Sequence, residues 1–590
     1  MTFNISRTLK RIVILLLLSF IVRSCQQIPM RPNIIIIMAD DQGWGDLSGH
    51  GNKDISTPNL DALALNGASF ENFYVSPVCS PTRAALLTGR YHFRSGIYGT
   101  SAGGERLNLD EQTIAEVFKQ NGYKTALYGK WHSGMQYPYH PMARGFDDFY
   151  GFCSGHWGNY FAPELEANGK IVKGKGYLAD DLTQHALDFI KKNKKKPFFL
   201  YLSLNIPHSP MQVPDTYWEK FKDKPLVNNA EVSNPLHTRA ALAMVANIDD
   251  NLGRISTQLD LLGLTKNTIV IYLSDNGPNG RRWNGGMKGI KGSTDEGGTR
   301  SPLFIQWRNT IAPKVVQQLA GAFDLLPTLT SLSGISHQSP KPYDGIDLSP
   351  WLLKKNTSNR ERILVSYWRN NMSIRNQRYR LDTNNELYDI QEDRGQLKPL
   401  DKENVQLVYE ELLSEKQKYD TFNFPMKSKD KRPFPVGHPD FRWTELPARD
   451  ATLQGGLKRS NRYPNCTFVT SWTSTQDKVL WPVTVVSSGT FEVYLYYTTG
   501  KENVGTSGTL TFQDSALKWS ISEAHDPPLV GASRDRSLRI ESYTKDFKRL
   551  SLGSITLAKG NGNLRIQADN IPGNSVMDLR RIHLKRINLK

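Results

Sequence analysis

The stretch NIIIIMADD, residues 33–41, determines the fold class. Its apolar run shows no alternation with polar residues, which is typical of a strand buried on both faces of a parallel sheet. The run TIVIYLSDNG, residues 268–277, repeats the pattern, and shorter apolar runs span residues 125–128 and 198–204. Because helical segments lie between these runs, the sequence predicts an α/β protein in which helices cover a central sheet.

Two of these segments have the spacing of an amphipathic helix. Residues 114–118 form one apolar face before the stop signal Asn121-Gly122. A longer segment places leucine, valine and isoleucine at three- and seven-residue steps over residues 242–262 and ends at Gly263. We therefore predict helices at both places.

Each predicted strand ends in polar residues that can bind a metal ion or exchange a proton. They are Asp40 and Asp41, Asp275 and Asn276, Lys130 and His132, and His208. Ligands of open α/β sheets bind beyond the carboxyl ends of the strands, so we expect a site at this edge. Four oxygen donors on two strands suit a hard cation such as Ca²⁺ or Mg²⁺. An Asp-Asp pair after a strand, taken alone, is more often part of a turn or a helix cap.

The segment CSPTR, residues 79–83, with AALLTGR after it, resembles the signature of the formylglycine-dependent sulfatases of the alkaline phosphatase superfamily. The resemblance implies that a formylglycine-generating or sulfatase-maturating enzyme converts Cys79 to 3-oxoalanine (formylglycine). A hydrated aldehyde carries two hydroxyls: one attacks sulfur, and the other loses a proton as sulfate leaves. Arg83 is expected to pair with this diol or with the sulfate. A structural cysteine before a helix is the alternative.

The resemblance covers about residues 32–420 and implies further site residues. The implied metal ligands, for calcium with magnesium as the alternative, are Asp40, Asp41, modified Cys79, Asp275 and Asn276. The implied catalytic residues are Cys79, Arg83, Lys130, His132, His208 and Lys291.

Individual roles follow from the same resemblance. Lys130 and Lys291 are expected to bind the sulfate oxygens, with Lys288 as a rival for Lys291. His132 is expected to contact the diol and to take the proton that drives sulfate elimination. His208 is expected to protonate the departing sugar oxygen as a general acid.

Beyond the first region, the pattern of residues changes twice. The resemblance predicts a catalytic domain over residues 32–335, built on a sulfatase/alkaline-phosphatase-like mixed sheet. A subdomain with a small antiparallel sheet follows over residues 336–425 and includes the element ELYD at 386–389. The Lys- and Pro-rich residues 425–440 are predicted to be a linker.

Residues 440–590 alternate apolar and polar side chains between Gly- and Asn-rich turns, which predicts an all-β sandwich. This accessory domain resembles the carbohydrate-binding sandwiches of polysaccharide-degrading enzymes at the level of pattern. Three tryptophans could stack on sugar rings or belong to the core of the sandwich. They are Trp472, Trp481 and Trp519.

Residues 1–24 have a basic start and an apolar run too short to span a bilayer comfortably, which predicts an export signal. The sequence VRSC, ending at Cys25, resembles a lipobox, so either a lipid anchor on Cys25 or ordinary cleavage follows. We expect a periplasmic protein, a cell-surface lipoprotein anchored in the outer membrane, or a secreted protein. Four cysteines in 590 residues do not make a disulfide framework.

The formal net charge of +17 favours a polyanionic partner. For an exported protein we expect a sulfated carbohydrate rather than nucleic acid. The predicted function is hydrolysis of sulfate esters on a sulfated polysaccharide or its oligosaccharides. Two alternatives remain: a formylglycine-dependent phosphodiester or phosphonate monoester hydrolase, and a carbohydrate-binding protein whose catalytic core is inactive.

Some loop residues are expected near the site, where an arginine could read a uronate or a second sulfate. They are His156, Trp157, Tyr160, Arg281, Arg282 and Trp283. The particular sugar is not readable from these residue types.

Overall fold

The computed structural model describes residues 31–354, 357–419, 430–464 and 466–587. The predicted export signal at residues 1–24 and the lipidation candidate Cys25 lie outside the described residues. Within the described ranges, no helix combines the length and the apolar character needed to cross a membrane.

Strands β1 to β12 form the framework of the N-terminal α/β region, residues 31–354. Their bounds are β1 Asn33–Ala39, β2 Ala68–Phe70, β3 Phe73–Tyr74, β4 Lys124–Lys130, β5 Asp148–Phe152, β6 Glu164–Ala167, β7 Lys170–Lys173, β8 Phe198–Ser203, β9 Thr268–Ser274, β10 Leu303–Gln306, β11 Lys314–Val316 and β12 Ala320–Gly321.

Ten of these strands form one mixed sheet in the order β11-β2-β10-β9-β1-β8-β4-β5-β6-β7. The five strands β9, β1, β8, β4 and β5 run parallel to one another, whereas β10 is antiparallel to β9. Alternate residues of β1 enter two separate cores: Ile34 belongs to one and Ile35 to the other. The prediction of a sheet buried on both faces is confirmed.

Helices cover the sheet and continue into the following segment. Their bounds are α1 Pro58–Leu65, α2 Cys79–Thr88, α3 Ile114–Gln120, α4 Leu178–Asn193, α5 Asp215–Trp218, α6 Pro235–Leu261, α7 Glu296–Thr299, α8 Leu325–Leu332, α9 Ser349–Leu353 and α10 Gln406–Gln417. Helix α3 begins with a capping box, in which Thr113 and Glu116 bond each other's backbone N–H. Helices α3 and α6 confirm the two predicted from residue spacing.

A small antiparallel sheet follows the α/β region, as predicted. It has the order β13-β14-β15-β16, and α10 contacts β14. The bounds are β13 Leu364–Trp368, β14 Asn371–Arg375, β15 Tyr379–Leu381 and β16 Leu387–Asp389. Strand β14 was not predicted, although it carries the buried Arg375 that ties this sheet to the α/β region.

The remaining strands form two sheets, which we call the C-terminal sandwich. Their orders are β17-β22-β27-β24-β25 and β20-β21-β28-β23-β26, with β19 and β18 at their sides. The bounds are β17 Phe434–Val436, β18 Trp443–Pro447, β19 Thr452–Gln454, β20 Lys458–Arg459, β21 Val469–Thr470, β22 Lys478–Val485, β23 Gly489–Thr498, β24 Ser507–Phe512, β25 Ser515–Ser520, β26 Lys548–Leu557, β27 Gly560–Asn570 and β28 Asp578–Arg586.

The core of the sandwich contains the three tryptophans that were candidates for sugar stacking. Trp472 and Trp481 are fully buried, and Trp519 is 4% exposed. The indole N–H of Trp481 donates to the carbonyl of Pro447 at 2.9 Å. Stacking on a substrate sugar is therefore excluded for these rings, and the alternative of a core role is confirmed.

The predicted linker at 425–440 is wrong for the part that the structure describes. Asp430 forms an ion pair with the buried Arg106 at 3.1 Å, and Arg432 donates to the carbonyl of Gly103 at 3.0 Å. Residues 434–436 already form β17 of the sandwich. Lysine and proline content suggested a solvated chain, but Asp430 and Arg432 bind the loop around Arg106 instead.

Candidate active site

Two neighbouring parallel strands bring four oxygen-bearing side chains together. Ala39 at the end of β1 lies opposite Ser274 at the end of β9, so the residues that follow both strands meet. The backbone N–H of Asp41 donates to Asp275 Oδ1 at 3.2 Å, and Asn276 Nδ2 donates to Asp41 Oδ1 at 2.9 Å. Asp41 adopts a left-handed φ of 67°, which turns the chain sharply after the strand.

These side chains have the chemistry of a cation site. All four are fully buried, and Asn276 Oδ1 has no hydrogen-bond partner among the described residues. Burial raises the pKa of Asp40 to about 8 against the opposing charge of Lys130, and the carboxylates of Asp275 and Asp41 add to the rise. Buried carboxylates this close need positive charge, and oxygen donors of this kind suit Ca²⁺ or Mg²⁺. The residues therefore fit the expected divalent cation.

Cys79 is the first residue of α2 and points to the same place. Ligand atoms of Asp40, Cys79 and Asp275 all lie within 4.8 Å of one another. Burial raises the pKa of the Cys79 thiol, so the unmodified side chain is a poor nucleophile. Val78 precedes the helix in extended conformation, which sets Cys79 at the helix N-terminus where backbone N–H groups favour anions.

Arg83, one turn along α2, is fully buried beside the carboxylates. Its Nε and Nη2 donate to Asp275 Oδ2 at 3.1 and 2.6 Å, and Nη1 donates to the carbonyl of Lys130 at 3.2 Å and to the Ser203 hydroxyl. Asp40 Oδ1 lies 3.9 Å from Nη2. The guanidinium thus forms a fork that holds the carboxylate of Asp275 beside Asp40, and its expected pairing with a diol or sulfate stays a prediction.

Two lysines approach the carboxylates from different elements. Lys130 Nζ, at the end of β4, lies 2.9 and 2.8 Å from the two oxygens of Asp40. Lys291 Nζ lies 2.7 Å from Asp41 Oδ1. Its rival Lys288 lies apart, with 43% of its side chain exposed and Nζ 4.0 Å from Asp295. Lys291 is therefore the lysine that reaches the site.

His132 reaches the site from a strained position, with a φ of 57°. Its Nε2 lies 2.9 Å from the carbonyl oxygen of Thr100, which can only accept, so Nε2 carries the proton. Nδ1 is buried and has no partner among the residues that the structure describes. Burial and the nearby Lys130 lower the pKa of His132 well below its usual value. The neutral ring therefore offers a bare nitrogen.

His208 lies beside Asp41. Its Nδ1 donates to the carbonyl of Ser209 at 2.7 Å, and its Nε2 is 3.5 Å from Asp41 Oδ2. Burial, with Lys291 and Lys130, lowers the pKa of His208 to about 3, against the opposing effect of Asp41. The Tyr160 hydroxyl lies 3.0 and 2.9 Å from the carbonyls of His208 and Ser209, which fixes the turn that bears the imidazole.

The loop residues expected near the site divide into two groups. His156 stacks on His208 with ring centroids 4.9 Å apart, so it belongs to the site. Arg282, by contrast, is buried and forms a forked ion pair with Asp46 at 2.6 Å and 2.7 Å. It supports the chain around Asp41, whose carbonyl accepts from Nη2 at 3.0 Å, and is not available to read a substrate anion. Arg281 is exposed.

Sequence reasoning missed residues that act through backbone atoms or through partners distant in sequence. Ser203 and Tyr201 contact Arg83, and Thr100 orients His132. Only the position of Ser203 at the end of a predicted strand could have indicated it. Glu296, in the segment EGGTR, is buried among arginines of the small sheet, with Arg380 Nη2 at 3.0 Å. That segment connects the small sheet to the α/β region.

Comparisons with known proteins agree with this geometry. The family model described as Sulfatase matches residues 32–335. The mouse N-acetylgalactosamine-6-sulfatase is 35% identical over 382 residues, which cover 58% of this chain and 70% of that protein. The crystal structure of Ps i-CgsB is 32% identical with a TM-score of 0.61, covering 68% of this chain and 94% of that one.

The same neighbour was solved in complex with k-i-k-neocarrahexaose, at 30% identity and a TM-score of 0.61, covering 68% of this chain and 95% of that one. The residues matched by the family model include the strand ends, Cys79, His132, His156 and His208. The chain belongs to the sulfatase family of sulfuric ester hydrolases.

Proposed function

We propose that this sulfatase removes sulfate from a sulfated polysaccharide or its oligosaccharides, using formylglycine at position 79 and one divalent cation. The mouse relative is named for a sulfated amino sugar, and Ps i-CgsB was solved with a carrageenan hexasaccharide. The net charge of +17 supports an anionic polymer as substrate. The phosphodiester or phosphonate alternative is not favoured, because the family model and the relatives are sulfatases.

One observation carries the proposal: Cys79 and the carboxylates of Asp40 and Asp275 converge within 4.8 Å. Formylglycine at Cys79, when hydrated, would supply the hydroxyl that attacks sulfur, and a bound cation would supply positive charge at the sulfate oxygens. Asp40, Asp41, Asp275 and Asn276 would hold that cation. Calcium is the proposed ion, with magnesium as the alternative.

The other side chains bind and position the substrate. The ammonium group of Lys130 lies beside Asp40 and that of Lys291 beside Asp41. Both would bind sulfate oxygens. The bare Nδ1 of His132 would accept the proton released from the diol as sulfate leaves. His208 would protonate the departing sugar oxygen, since the negative charge of a bound sulfate ester favours the protonated imidazole.

Maturation and export complete the proposal. A formylglycine-generating or sulfatase-maturating enzyme would oxidise Cys79, and the basic and apolar start of the chain supports export. Lipidation of Cys25 remains the alternative to a cleaved, unanchored protein.

The test compares sulfate release by the wild type, Cys79→Ala and Cys153→Ala on a panel of sulfated oligosaccharides. Cys153 is a matched control because it is equally buried and lies in the hydrophobic core. We expect the wild type and Cys153→Ala to release sulfate and Cys79→Ala to release none. Chelation should abolish the activity, and calcium or magnesium should restore it.

Three results would contradict the proposal. Full activity of Cys79→Ala would exclude position 79 as the nucleophile. An unmodified thiol in the Cys79 peptide by mass spectrometry, in protein from the native host, would favour the inactive carbohydrate-binding alternative. Turnover of a phosphate ester in preference to the sulfate ester of the same phenol would favour the phosphoester alternative.

A further inference from the structure

A cavity of about 470 Å³ separates the N-terminal α/β region from the C-terminal sandwich. One wall is formed by residues between 157 and 173 of the α/β region. The other wall is formed by residues between 530 and 547, by 580–581 and by Cys466 of the sandwich. The volume lies within the roughly 300–1,000 Å³ typical of small-molecule sites. Neither part of the chain would form this cavity alone.

The cavity is adjacent to the leaving-group side of the site. His156 stacks on His208, and the next residue, Trp157, lines the cavity. Trp157 also stacks on Phe152, with ring centroids 5.4 Å apart, and Phe152 ends the strand next to Lys130. A single short loop therefore has the active site at one end and the cavity at the other.

Contacts with the sandwich fix this loop in place. The backbone N–H of Gly158 lies 2.9 Å from Cys466 Sγ, and its carbonyl accepts from Arg539 Nη1 at 2.6 Å. A Cβ at position 158 would lie 2.9 Å from the same sulfur, so the segments around Gly158 and Cys466 pack closely against each other. On the His208 loop, Gln212 Nε2 donates to Asp535 Oδ1 at 2.9 Å. The cavity is thus bounded by walls with a defined separation.

The lining favours an anionic ligand. It carries four cations and two anions, which are Lys173, Lys545, Arg580 and Arg581 against Glu164 and Asp546. Arg581 pairs with Glu164, and Lys545 pairs with Asp578 at 2.9 Å. Arg580 lies over the indole of Trp157, 5.7 Å from the ring centroid. A guanidinium held on an aromatic ring is a common means of binding carboxylate or sulfate.

The lining also offers partly exposed aromatic rings. Phe161 comes from the α/β region and Phe547 from the sandwich, and each is only partly buried. Aromatic faces bind the apolar faces of sugar rings, and cations bind their acidic substituents. Together these groups suit an acidic or sulfated sugar and not an apolar molecule.

We propose that this cavity is a substrate subsite, built jointly by the two regions, for an anionic sugar unit on the leaving-group side of the sulfated residue. The inference rests on the proposed function and specifies its substrate as an oligosaccharide or polymer. It also gives the sandwich a role in binding substrate, although its three buried tryptophans cannot stack on a sugar. The sandwich contributes one wall of the substrate site.

The test measures binding in the Cys79→Ala background, so that no substrate is consumed. Hexasaccharides from carrageenan, chondroitin sulfate and heparin are titrated by calorimetry, each beside its own disaccharide, and the tightest hexasaccharide is taken forward. Lys545→Ala removes a cation from the cavity, and Phe547→Ala removes a ring. Each should reduce the preference for hexasaccharide over disaccharide about tenfold, as expected for the loss of one good contact.

Lys518→Ala is the matched control. Lys518 belongs to the same sandwich and forms an ion pair with Asp569 at 2.9 Å, but its side chain is 79% exposed and lies outside the cavity. This variant should keep the preference of the parent. The proposal is overturned if no hexasaccharide binds more tightly than its disaccharide, or if all three variants behave alike. A wild type that releases no sulfate would refute the proposed function instead, because the binding ratio does not depend on turnover.

Discussion

Arg83→Lys tests whether the arginine fork, rather than its charge alone, supports catalysis. Four of the hydrogen bonds that the guanidinium donates go to three groups: Asp275, the carbonyl of Lys130 and the hydroxyl of Ser203. A lysine ammonium on a different stem can bind Asp275 but cannot reach the other two groups at the same time.

The size of the effect follows from these bonds. Losing two hydrogen bonds from a charged donor costs roughly 1.5–3 kcal/mol each, or about 3–6 kcal/mol together. If local rearrangement relieves about half of this loss, about 1.5–3 kcal/mol remains, and kcat/KM should fall about 10- to 100-fold, since each factor of ten corresponds to about 1.4 kcal/mol. The assay is sulfate release from an oligosaccharide, with bound metal measured in the same samples.

Arg144→Lys provides the control. Arg144 is also buried, with Nε 3.0 Å from Glu116 and its terminal nitrogens donating to two carbonyls, but it lies outside the site. Both variants should lose thermal stability, and only Arg83→Lys should lose most of its turnover. Equal turnover in the two variants would refute the reasoning.

Two further predictions concern residues that support the site. Tyr160→Phe removes the hydroxyl beside the carbonyls of His208 and Ser209, so kcat should fall about tenfold on a sugar sulfate and less on an aryl sulfate, whose leaving group needs no proton; an equal fall on both would contradict a positioning role. Burial opposes ionisation of Glu296, but Arg375, Arg380 and Arg300 outweigh it and lower its pKa to about 2, from 4.5 in the unfolded chain. Glu296→Gln should therefore lower Tm at pH 7, because breaking a buried pair costs about 3–5 kcal/mol. The gap in Tm from the wild type should persist down to about pH 4.5 and narrow between about pH 4.5 and 2, because the carboxyl of the unfolded chain takes up a proton there while the native carboxylate is still ionised; a gap unchanged by pH would show that charge is not the cause.

The site was predictable where its residues follow buried strands. Asp40 and Asp275 are separated by 235 positions, yet each ends an apolar run whose pairing is set by the parallel sheet. Lys130 follows the same rule on β4. The hydrophobic pattern fixes the strands, and the strands fix the edge at which these side chains meet.

The rest depends on tertiary contacts that no local pattern contains. The carbonyl of Thr100 selects the tautomer of His132, and any residue type supplies a carbonyl. Arg282 looked suited to bind substrate because it lies in a loop, but Asp46 neutralises it in the interior. The three sandwich tryptophans are buried because two sheets close over them, which alternation along one strand does not reveal.

The ion pair between Arg106 and Asp430 affects how the protein can be re-engineered. Arg106 lies in the loop that presents the Thr100 carbonyl to His132, and it also donates to the carbonyl of Pro433 at 2.7 Å. A chimera that keeps this α/β region but continues in a foreign chain from a point before Asp430 would replace Asp430 and Pro433. The loop around Arg106 would then lose these partners. Successful grafts of the C-terminal sandwich onto other sulfatases must therefore carry the segment from Asp430 onward and a matching arginine in the recipient.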